Sequence, residues 1–352
     1  MRDLIVMRHK HVRILYAGRE VRQRQRGAAP AGGRVDLDTL DEGVWKIYFR
    51  QEVNQLVKVL KLPEVITSEG NEIVEPARDP LCMLLARLTY PNRYTVLRLK
   101  FGWEVTRISR IQAAVQDIIL ETWKHLLEFD EERLIPEKLQ EYADVINAKI
   151  PVGALPNCWG FVDGTVRPTS RPTKYQRTVY NGWKWTHGVK YHAIVTPDGL
   201  MAHLYGPLEG RRHDRTLWQE SQIFRHLQMY AYRPEGNALQ VYGDSAYGCN
   251  KFLCSPFMGA RLSEGERLFN RRMANVQIIV EWVFKETLNL FDFKRNQKFL
   301  LQPIGKQFQV AILLHNAHVC LHNPQIPQYF QNPDDLPVEM FHPSTLEEYF
   351  HD

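Results

Sequence analysis

The sequence has few cysteines and lacks any long apolar run. Five cysteines are scattered along 352 residues, and the close pair Cys249 and Cys254 has no second Cys or His pair beside it at zinc spacing. An odd, scattered set predicts a reducing, intracellular compartment rather than a disulfide framework. No apolar stretch approaches the ~20 residues that cross a bilayer, so we expect no membrane partner. The start, Met1–Arg8, is too short and too charged for a secretory signal.

Acidic residues are scarce at the start of the chain, and Lys and Arg are absent from its last thirty residues. Residues 323–352 contain no Lys or Arg, whereas residues 1–34 are rich in arginine and have only Asp3 and Glu20 as acids. A basic head and an acidic tail fit a nucleic-acid partner at one end and a protein partner at the other. The net charge of +5 is mild, and two solvated tails are the alternative.

Changes of composition divide the chain into four segments. The length of 352 residues allows two modest domains, each with its own core. The predicted segments are a basic flexible tail (1–34), a helical domain (35–150), a domain of alternating strands and helices (151–322) and an acidic, Pro-rich tail or wrapping arm (323–352). Gly- and Pro-rich stretches at 27–33 and 151–156 mark two of these limits.

A helix-turn-helix segment is predicted inside the helical domain. One short helix spans Arg93–Phe101, a turn follows at Gly102, and a second helix spans Thr106–Leu127. Polar side chains near the start of the second helix, where a recognition helix meets base edges, are Arg107, Arg110 and Gln112. Many helical domains contain such a turn without touching DNA, so a purely structural role is the alternative.

Two short apolar runs each end on an aspartate. Cys158–Val162 leads into Asp163, and Leu239–Gly243 leads into Asp244. Such a run, bounded by turn residues, is typical of a buried strand, and an ionised carboxylate at its end is costly unless it is compensated. Ligands gather at the carboxyl ends of strands in α/β sheets. The alternative for each aspartate is a helix cap or a turn residue.

A third acid, Glu281, lies in a nearly all-apolar helix. The polar exception is a stripe at steps of four, Gln277, Glu281 and Lys285, which share one helical face. We expect a buried helix that points one carboxylate into a cleft. The alternative is an ion pair between Glu281 and Lys285 on an exposed strip.

The three acids together predict a site for divalent cations. Asp163, Asp244 and Glu281 supply only oxygen donors, and such a set suits Mg²⁺ or Mn²⁺ rather than zinc. Without a metal, three nearby carboxylates repel, and at least one tends to take a proton. With two ions about 3.5–4 Å apart, one activates a water or hydroxyl and the other stabilises the leaving oxygen of a phosphodiester.

A zinc site is the competing interpretation for a later segment. Its candidate ligands are His315, His318, Cys320 and His322. The preceding apolar run at 310–314 favours a core helix instead.

Basic and aromatic residues alternate between the first two acids. The basic members are Arg167, Arg171, Lys174, Arg177, Lys184 and Lys190, and the aromatic members are Tyr175, Tyr180, Trp183, Trp185 and Tyr191. Charges for phosphates and rings for unstacked bases are what a nucleic-acid groove uses. Further on, Arg211 and Arg212 precede a helix with Asp214 as its predicted cap, and this helix end could hold a phosphate. Exposed arginines beside an ordinary cap are the alternative.

The same region predicts a hairpin and a helix. Lys190–Thr196 and Leu200–Tyr205 are rich in strand formers and are separated by a Pro-Asp-Gly turn, which is typical of a hairpin. Asp214–Tyr230 is predicted to be one helix, with apolar residues on one side.

These residues resemble the catalytic domain of the PIF/Harbinger transposases and of the nucleases derived from them. The matching motifs are Gly160–Thr165, Asn181–Lys184, Lys190–Leu200, Gly206–Asp214, Gly243–Tyr247 and Val280–Phe284. Upstream, Thr89–Arg93, Phe101–Gly102 and Ile108–Ile111 look like the family's helical N-terminal region. The resemblance covers roughly residues 75–322.

The resemblance implies an RNase H-like α/β catalytic domain, a mixed sheet flanked by helices, preceded by an all-α helix-turn-helix-like domain. It makes Asp163, Asp244 and Glu281 the catalytic residues and the ligands of Mg²⁺ or Mn²⁺. The 36 residues between Asp244 and Glu281 suit the family's spacing. The implied function is a metal-dependent DNA endonuclease or transposase that cuts phosphodiester bonds and joins 3′ ends to target DNA.

The resemblance also implies partners and a location. We expect DNA and a Myb/SANT-like protein as partners, and the nucleus as the location, or the cytoplasm without the protein partner. The sequence leaves open whether a second copy of the chain is also a partner. The expected DNA-binding residues are Arg107, Arg110, Lys184, Lys190, Arg211, Arg212 and Lys285. The sequence departs from the family's pattern at two positions that bear on how the DNA backbone is bound. Family members often have arginine where this chain has Gln277, and glycine where it has Lys285.

The alternative function is a domesticated derivative that binds DNA or protein and no longer catalyses. The complete set of three acids argues against it, because clustered carboxylates are costly to hold together without a metal.

Overall fold

The computed structural model describes residues 50–68, 73–89, 93–150, 155–291, 301–322, 325–331 and 344–351. The described residues form two compact units, one within residues 50–87 and 93–115 and the other within residues 88–89 and 116–351. The predicted basic tail, residues 1–34, lies outside the described residues. The domain limits predicted at residues 34, 150 and 322 stay predictions.

The first unit contains helices and one small hairpin. Its elements are α1 (Arg50–Val59), β1 (Val65–Thr67), β2 (Val74–Pro76), α2 (Arg78–Thr89), α3 (Tyr94–Phe101) and the first part of α4 (Val105–Trp123). β1 and β2 pair antiparallel, and Ile66 at the centre of β1 is fully buried. The prediction of an all-α N-terminal domain was therefore wrong, because the β-branched residues of β1 form a ladder with β2.

The two helices and the turn of the predicted helix-turn-helix segment are present, but the second helix ends at Trp123 and not at Leu127. α3 ends at Gly102, which adopts the left-handed conformation (φ 72°) and donates its N–H to the carbonyl of Arg98. Glycine is favoured there because it has no Cβ to clash. α4 begins three residues later, at Val105. A role of this segment in reading DNA stays a prediction.

The second unit is a sheet with helices packed on it. Its strands are β3 (Cys158–Pro168), β4 (Tyr180–Asn181), β5 (Thr186–Val195), β6 (Met201–Glu209), β7 (Gln240–Gly243) and β8 (Leu253–Cys254). Its further helices are α5 (His125–Glu128), α6 (Pro136–Lys149), α7 (Gln176–Val179), α8 (Asp214–Glu220), α9 (Ile223–Tyr230), α10 (Glu264–Leu290), α11 (Leu301–Leu321), α12 (Gln325–Phe330) and α13 (Leu346–Phe350).

The sheet is mixed, with strand order β4-β5-β3-β7-β8 and β6 paired to β5. β5 pairs antiparallel with β3 and with β6, whereas β7 pairs parallel with β3 and with β8. Helices α6 and α10 contact the sheet at β3. A mixed sheet flanked by helices is consistent with the expected RNase H-like α/β fold.

The hairpin of the sequence prediction is present, and two other predicted features differ. β5 and β6 pair with His192 opposite Tyr205, as predicted. β3 does not end before Asp163 but continues to Pro168, because residues 161–168 find partners on β5. The single predicted helix 214–230 is two helices, since Gln222 between them adopts a left-handed backbone (φ 56°).

A buried polar network fixes the turn between β5 and β6. Asp198 is fully buried and accepts hydrogen bonds from the hydroxyls of Tyr142 (2.5 Å) and Thr196 (2.5 Å). The guanidinium of Arg133, also buried, lies 3.3 Å from the same carboxylate. A buried charge requires such partners, so this turn is anchored to the unit's core.

Part of the acidic C-terminal segment packs into the second unit. Leu346, Tyr349 and Phe350 of α13 are buried, and the Tyr349 hydroxyl accepts a hydrogen bond (2.8 Å) from the Asn316 side chain. No helix in the described part of the chain has the length and apolar character needed to cross a membrane.

Candidate active site

Neighbouring parallel strands bring two of the predicted acids together. Val162 of β3 is paired with Gly243 of β7, so Asp163 and Asp244 follow at adjacent positions. The strands can approach this closely because residue 243 is glycine: a Cβ there would lie 2.6 Å from a methyl group of Val162. β7 ends at Gly243, and the Asp244 carboxylate accepts a hydrogen bond (3.0 Å) from the N–H of Ala246. The predicted position of Asp244 at a strand end is confirmed.

The electrostatics of Asp163 show how close the acids are. Burial is the main cause that raises the pKa of Asp163 to about 7; a hydrogen bond from the N–H of Gly164 opposes the rise, and the negative charges of Asp244, Asp214 and Glu281 add to it. That hydrogen bond is 2.6 Å long. Burial is also the main cause that raises the pKa of Asp244. A positive charge at this place would relieve the repulsion among the carboxylates.

Asp214 is a member of the cluster that the sequence prediction missed. It was predicted to cap a helix, but His213 occupies the cap position, and the Asp214 side chain turns instead to Lys190. Its Oδ1 atom is buried and has no hydrogen-bond partner among the described residues. A Cβ at residue 164 would collide with this oxygen, so the Asp214 carboxylate fits here because residue 164 is glycine. The matching motif Gly206–Asp214 contains the residue, but only the packing of α8 against the sheet reveals its neighbours.

Lys190 was predicted to bind DNA on an open surface. It belongs instead to the acid cluster. The side chain is buried, and its Nζ atom donates to Asp214 Oδ2 (2.8 Å) and to the carbonyl of Arg212 (3.1 Å). Its charge lowers the pKa of Asp244 against the stronger effect of burial. The lysine therefore neutralises part of the negative charge at the site.

A tyrosine lies beside the same acids. The Tyr247 ring stacks on His192 with 6.2 Å between centroids, and its hydroxyl is buried without a hydrogen-bond partner among the described residues. Burial first, and then the charges of Asp214, Asp163 and Asp244, raise the pKa of Tyr247 well above its ordinary value. The phenol therefore stays protonated and can donate a hydrogen bond to an anion at the site.

Glu281 is exposed, whereas the sequence predicted a buried side chain. It lies on α10, which begins with a capping box between Ser263 and Glu266. The helix is not buried on every side, because Ile278 on it is 40% exposed. Glu281 is nevertheless near the cluster, since its charge contributes to the raised pKa of Asp163.

The donor chemistry of the cluster fits a divalent cation, but the side chains are not gathered around one point. Only carboxylate oxygens are offered, and one of them, Asp214 Oδ1, has no partner among the described residues. No three His, Cys, Asp or Glu side chains in the described ranges are close enough to hold an ion together. The zinc candidates also form no such group within the described ranges. One of them, His315, lies 3.9 Å from Glu286.

The predicted recognition-helix residues differ in their contacts. Arg107 pairs with the buried carboxylate of Glu75, and its guanidinium lies over the Trp103 ring, 4.9 Å from the centroid. Gln112 is buried and donates to the carbonyl of Met83, so it is not placed to read bases as the sequence suggested. Arg110 is exposed.

The remaining predicted DNA-binding residues are surface cations of the second unit. Lys184, Arg211 and Lys285 are exposed, and Arg212 forms ion pairs with two acids on its own unit. Their binding to DNA stays a prediction. In contrast, Arg167 of the predicted basic groove is buried against aromatic rings.

Comparison with known proteins gives one match. Residues 162–316 match the model of a family described as DDE superfamily endonuclease. Neither the comparison with curated proteins nor the comparison with solved structures finds a match. The matched range includes all three predicted acids, and it supports a DDE transposase-type nuclease. Nucleases of this kind generally use divalent metal ions.

Proposed function

We propose that the protein is a metal-dependent DNA endonuclease of the PIF/Harbinger type, with Asp163, Asp244 and Glu281 as its catalytic acids. The observation that carries the proposal is the adjacent placement of Asp163 and Asp244 on parallel strands inside the matched range. The raised pKa of Asp163 supports it, because burial, and to a smaller extent the neighbouring carboxylates, disfavour the charged form that a bound cation would stabilise.

Asp163 and Asp244 would hold Mg²⁺ or Mn²⁺, with Glu281 as the third ligand from α10, and two ions are the expected number. The metal supplies an activated water or hydroxyl and stabilises the leaving oxygen of the phosphodiester. Because Glu281 is exposed, its side chain is free to turn toward the aspartates when an ion is present. The Lys190 ammonium binds Asp214 and partly neutralises the acids around that place, and the protonated Tyr247 hydroxyl is a further donor beside them.

The proposed substrate is double-stranded DNA, contacted by the exposed cations Arg110, Lys184, Arg211 and Lys285. After cleavage, the freed 3′-hydroxyl attacks a phosphodiester of target DNA. A Myb/SANT-like protein partner, a second copy of the chain and a nuclear location belong to the same proposal. The resemblance of the motifs supports the Myb/SANT-like partner and the nuclear location.

The proposal is tested by incubating supercoiled plasmid with the purified protein and Mg²⁺. The parent should nick the plasmid, EDTA should stop it, and Asp244→Asn should reduce the rate by a factor of about 100 or more. Glu235→Gln, which removes an exposed carboxylate from a surface turn of the same unit, serves as the matched control. Equal cleavage by Asp244→Asn and the control would show that the assigned site is wrong.

A catalytically idle derivative that binds DNA or protein is the second candidate. It is favoured by the absence of a three-ligand group among the described side chains. Titration calorimetry with Mn²⁺ separates the two. Binding that is lost in Asp163→Asn supports the nuclease, whereas no binding of Mn²⁺ together with retained DNA binding supports the idle derivative.

A further inference from the structure

Two tryptophans project from the turn between β4 and β5. In this turn, residues 182–185, the side chains of Trp183 and Trp185 are 86% and 83% exposed. By contrast, Trp103, Trp123, Trp159 and Trp218 are buried in their units. A tryptophan that stays in water forgoes a large gain from burial, so two of them side by side indicate a surface with a binding partner.

The turn is held in place by the side chain of the residue that precedes it. Asn181 is buried, its Oδ1 accepts the N–H of Lys184 (2.8 Å), and its Nδ2 donates to the carbonyl of Gly210 (2.6 Å). Gly210 approaches so closely that a Cβ there would lie 2.6 Å from the carbonyl oxygen of Gly188. Trp185 adopts a left-handed backbone (φ 52°), which is unfavourable for a bulky residue and persists only where the surroundings impose it.

The turn is connected to the acid cluster through a short chain of contacts. Gly210, bound by Asn181, is followed by the exposed Arg211 and by Arg212, whose carbonyl accepts the Lys190 ammonium. The same ammonium binds Asp214 beside Asp163. The rings therefore lie at one end of this chain of contacts, and the acids lie at the other.

We propose that Trp183 and Trp185 stack on unpaired DNA bases next to the cleavage site, so that the preferred substrate is a duplex with a single-stranded extension. This inference rests on the proposed function and names its substrate class. Exposed rings suit unpaired bases, because every base has a face that stacks and bases inside a duplex are covered by their neighbours. The exposed cation of Lys184 between the two rings provides charge for the backbone phosphates.

The residues that take part are only some of those in the predicted groove. Tyr191 is buried in the core, and Tyr180 is half buried with its ring 5.1 Å from that of His187. The sequence pattern of alternating charges and rings thus contains both core and surface members. Trp183 and Trp185 are the two that the turn holds outward together.

The test is fluorescence anisotropy with a labelled blunt duplex and the same duplex carrying a single-stranded extension, in EDTA to prevent cleavage. The parent should bind the extended duplex at least about 5-fold more tightly than the blunt one. Trp183→Ala/Trp185→Ala should lose that preference and keep the affinity for the blunt duplex. Trp183→Phe/Trp185→Phe should restore most of the preference, because phenylalanine also stacks.

The matched control is Met229→Ala, which removes a side chain that is 59% exposed on α9. It should bind both duplexes as the parent does. If the double alanine variant keeps the parent's preference, the inference is overturned even if the plasmid is cleaved. If the preference depends on the rings but no variant cleaves plasmid with Mg²⁺, the proposed function fails and the stacking role stands.

Discussion

The Nζ atom of Lys190 lies 2.8 Å from Oδ2 of Asp214, and both side chains are largely buried beside Asp163 and Asp244. The sequence placed one partner of this pair on DNA and the other at a helix cap. Together they compensate part of the charge of the acid cluster. We therefore expect the pair to affect both the stability of the second unit and the charge of its proposed catalytic acids.

Replacing Lys190 by methionine should destabilise the protein by about 3 kcal/mol, because it leaves the Asp214 charge buried without its partner. The double variant Lys190→Met/Asp214→Asn should recover most of this loss, since neither charge remains. Urea denaturation of the parent, both single variants and the double variant measures the coupling. Additive effects of the two single changes would contradict the pairing.

Gly164→Ala should displace the Asp214 carboxylate, because the added Cβ would occupy the position of its Oδ1 atom. We expect a loss of about 1–3 kcal/mol in the free energy of unfolding, and slower plasmid cleavage. The control is Gly265→Ala on α10, where a Cβ meets no atom within 4 Å. That variant should be neutral or slightly stabilising in the helix. The same loss in both variants would exclude a steric cause.

The stability of the second unit should depend on pH through Glu286. Burial raises the pKa of Glu286 to about 7 from 4.5, and its neighbour His315, whose pKa burial lowers to about 3, is neutral near pH 7. The folded state then holds an extra proton between pH 4.5 and 7, so this contribution to stability falls as pH rises through that window.

Glu286→Gln removes that contribution. Relative to the parent, the variant should gain stability as pH rises from about 4.5 to 7, by at most roughly 3 kcal/mol. Urea denaturation of both proteins across this range measures the difference, in which the contribution of His315 largely cancels. A difference that stays constant over the window would contradict the raised pKa.

Asp198→Asn should destabilise the second unit by roughly 3 kcal/mol, because the carboxylate is fully buried and accepts from Arg133, Tyr142 and Thr196. The control is Asp117→Asn, which breaks an exposed ion pair with Lys306 and should cost less than about 1 kcal/mol. Thermal unfolding of both variants compares them. Equal costs would mean that the Asp198 network contributes no more than a surface pair.

Local signals in the sequence determined several features of the fold. The Pro-Asp-Gly turn predicted the β5–β6 hairpin, the apolar run before Asp244 predicted β7, and Gly102 predicted the turn between α3 and α4. Each depends on residues that are close in the chain. The type of donor at the proposed metal site was also available, since it follows from the chemistry of the acids alone.

Tertiary structure decided which charged residues meet and which are buried. Pairing with β5 carries β3 past Asp163, and the packing of α8 brings Asp214 against Gly164 and Lys190, although these residues lie far apart in sequence. Burial likewise separates Tyr191 from Trp185 within one alternating pattern. Such long-range contacts leave no periodic signal in the sequence. The sequence alone therefore determines which functional groups are present, and the fold determines which of them come together.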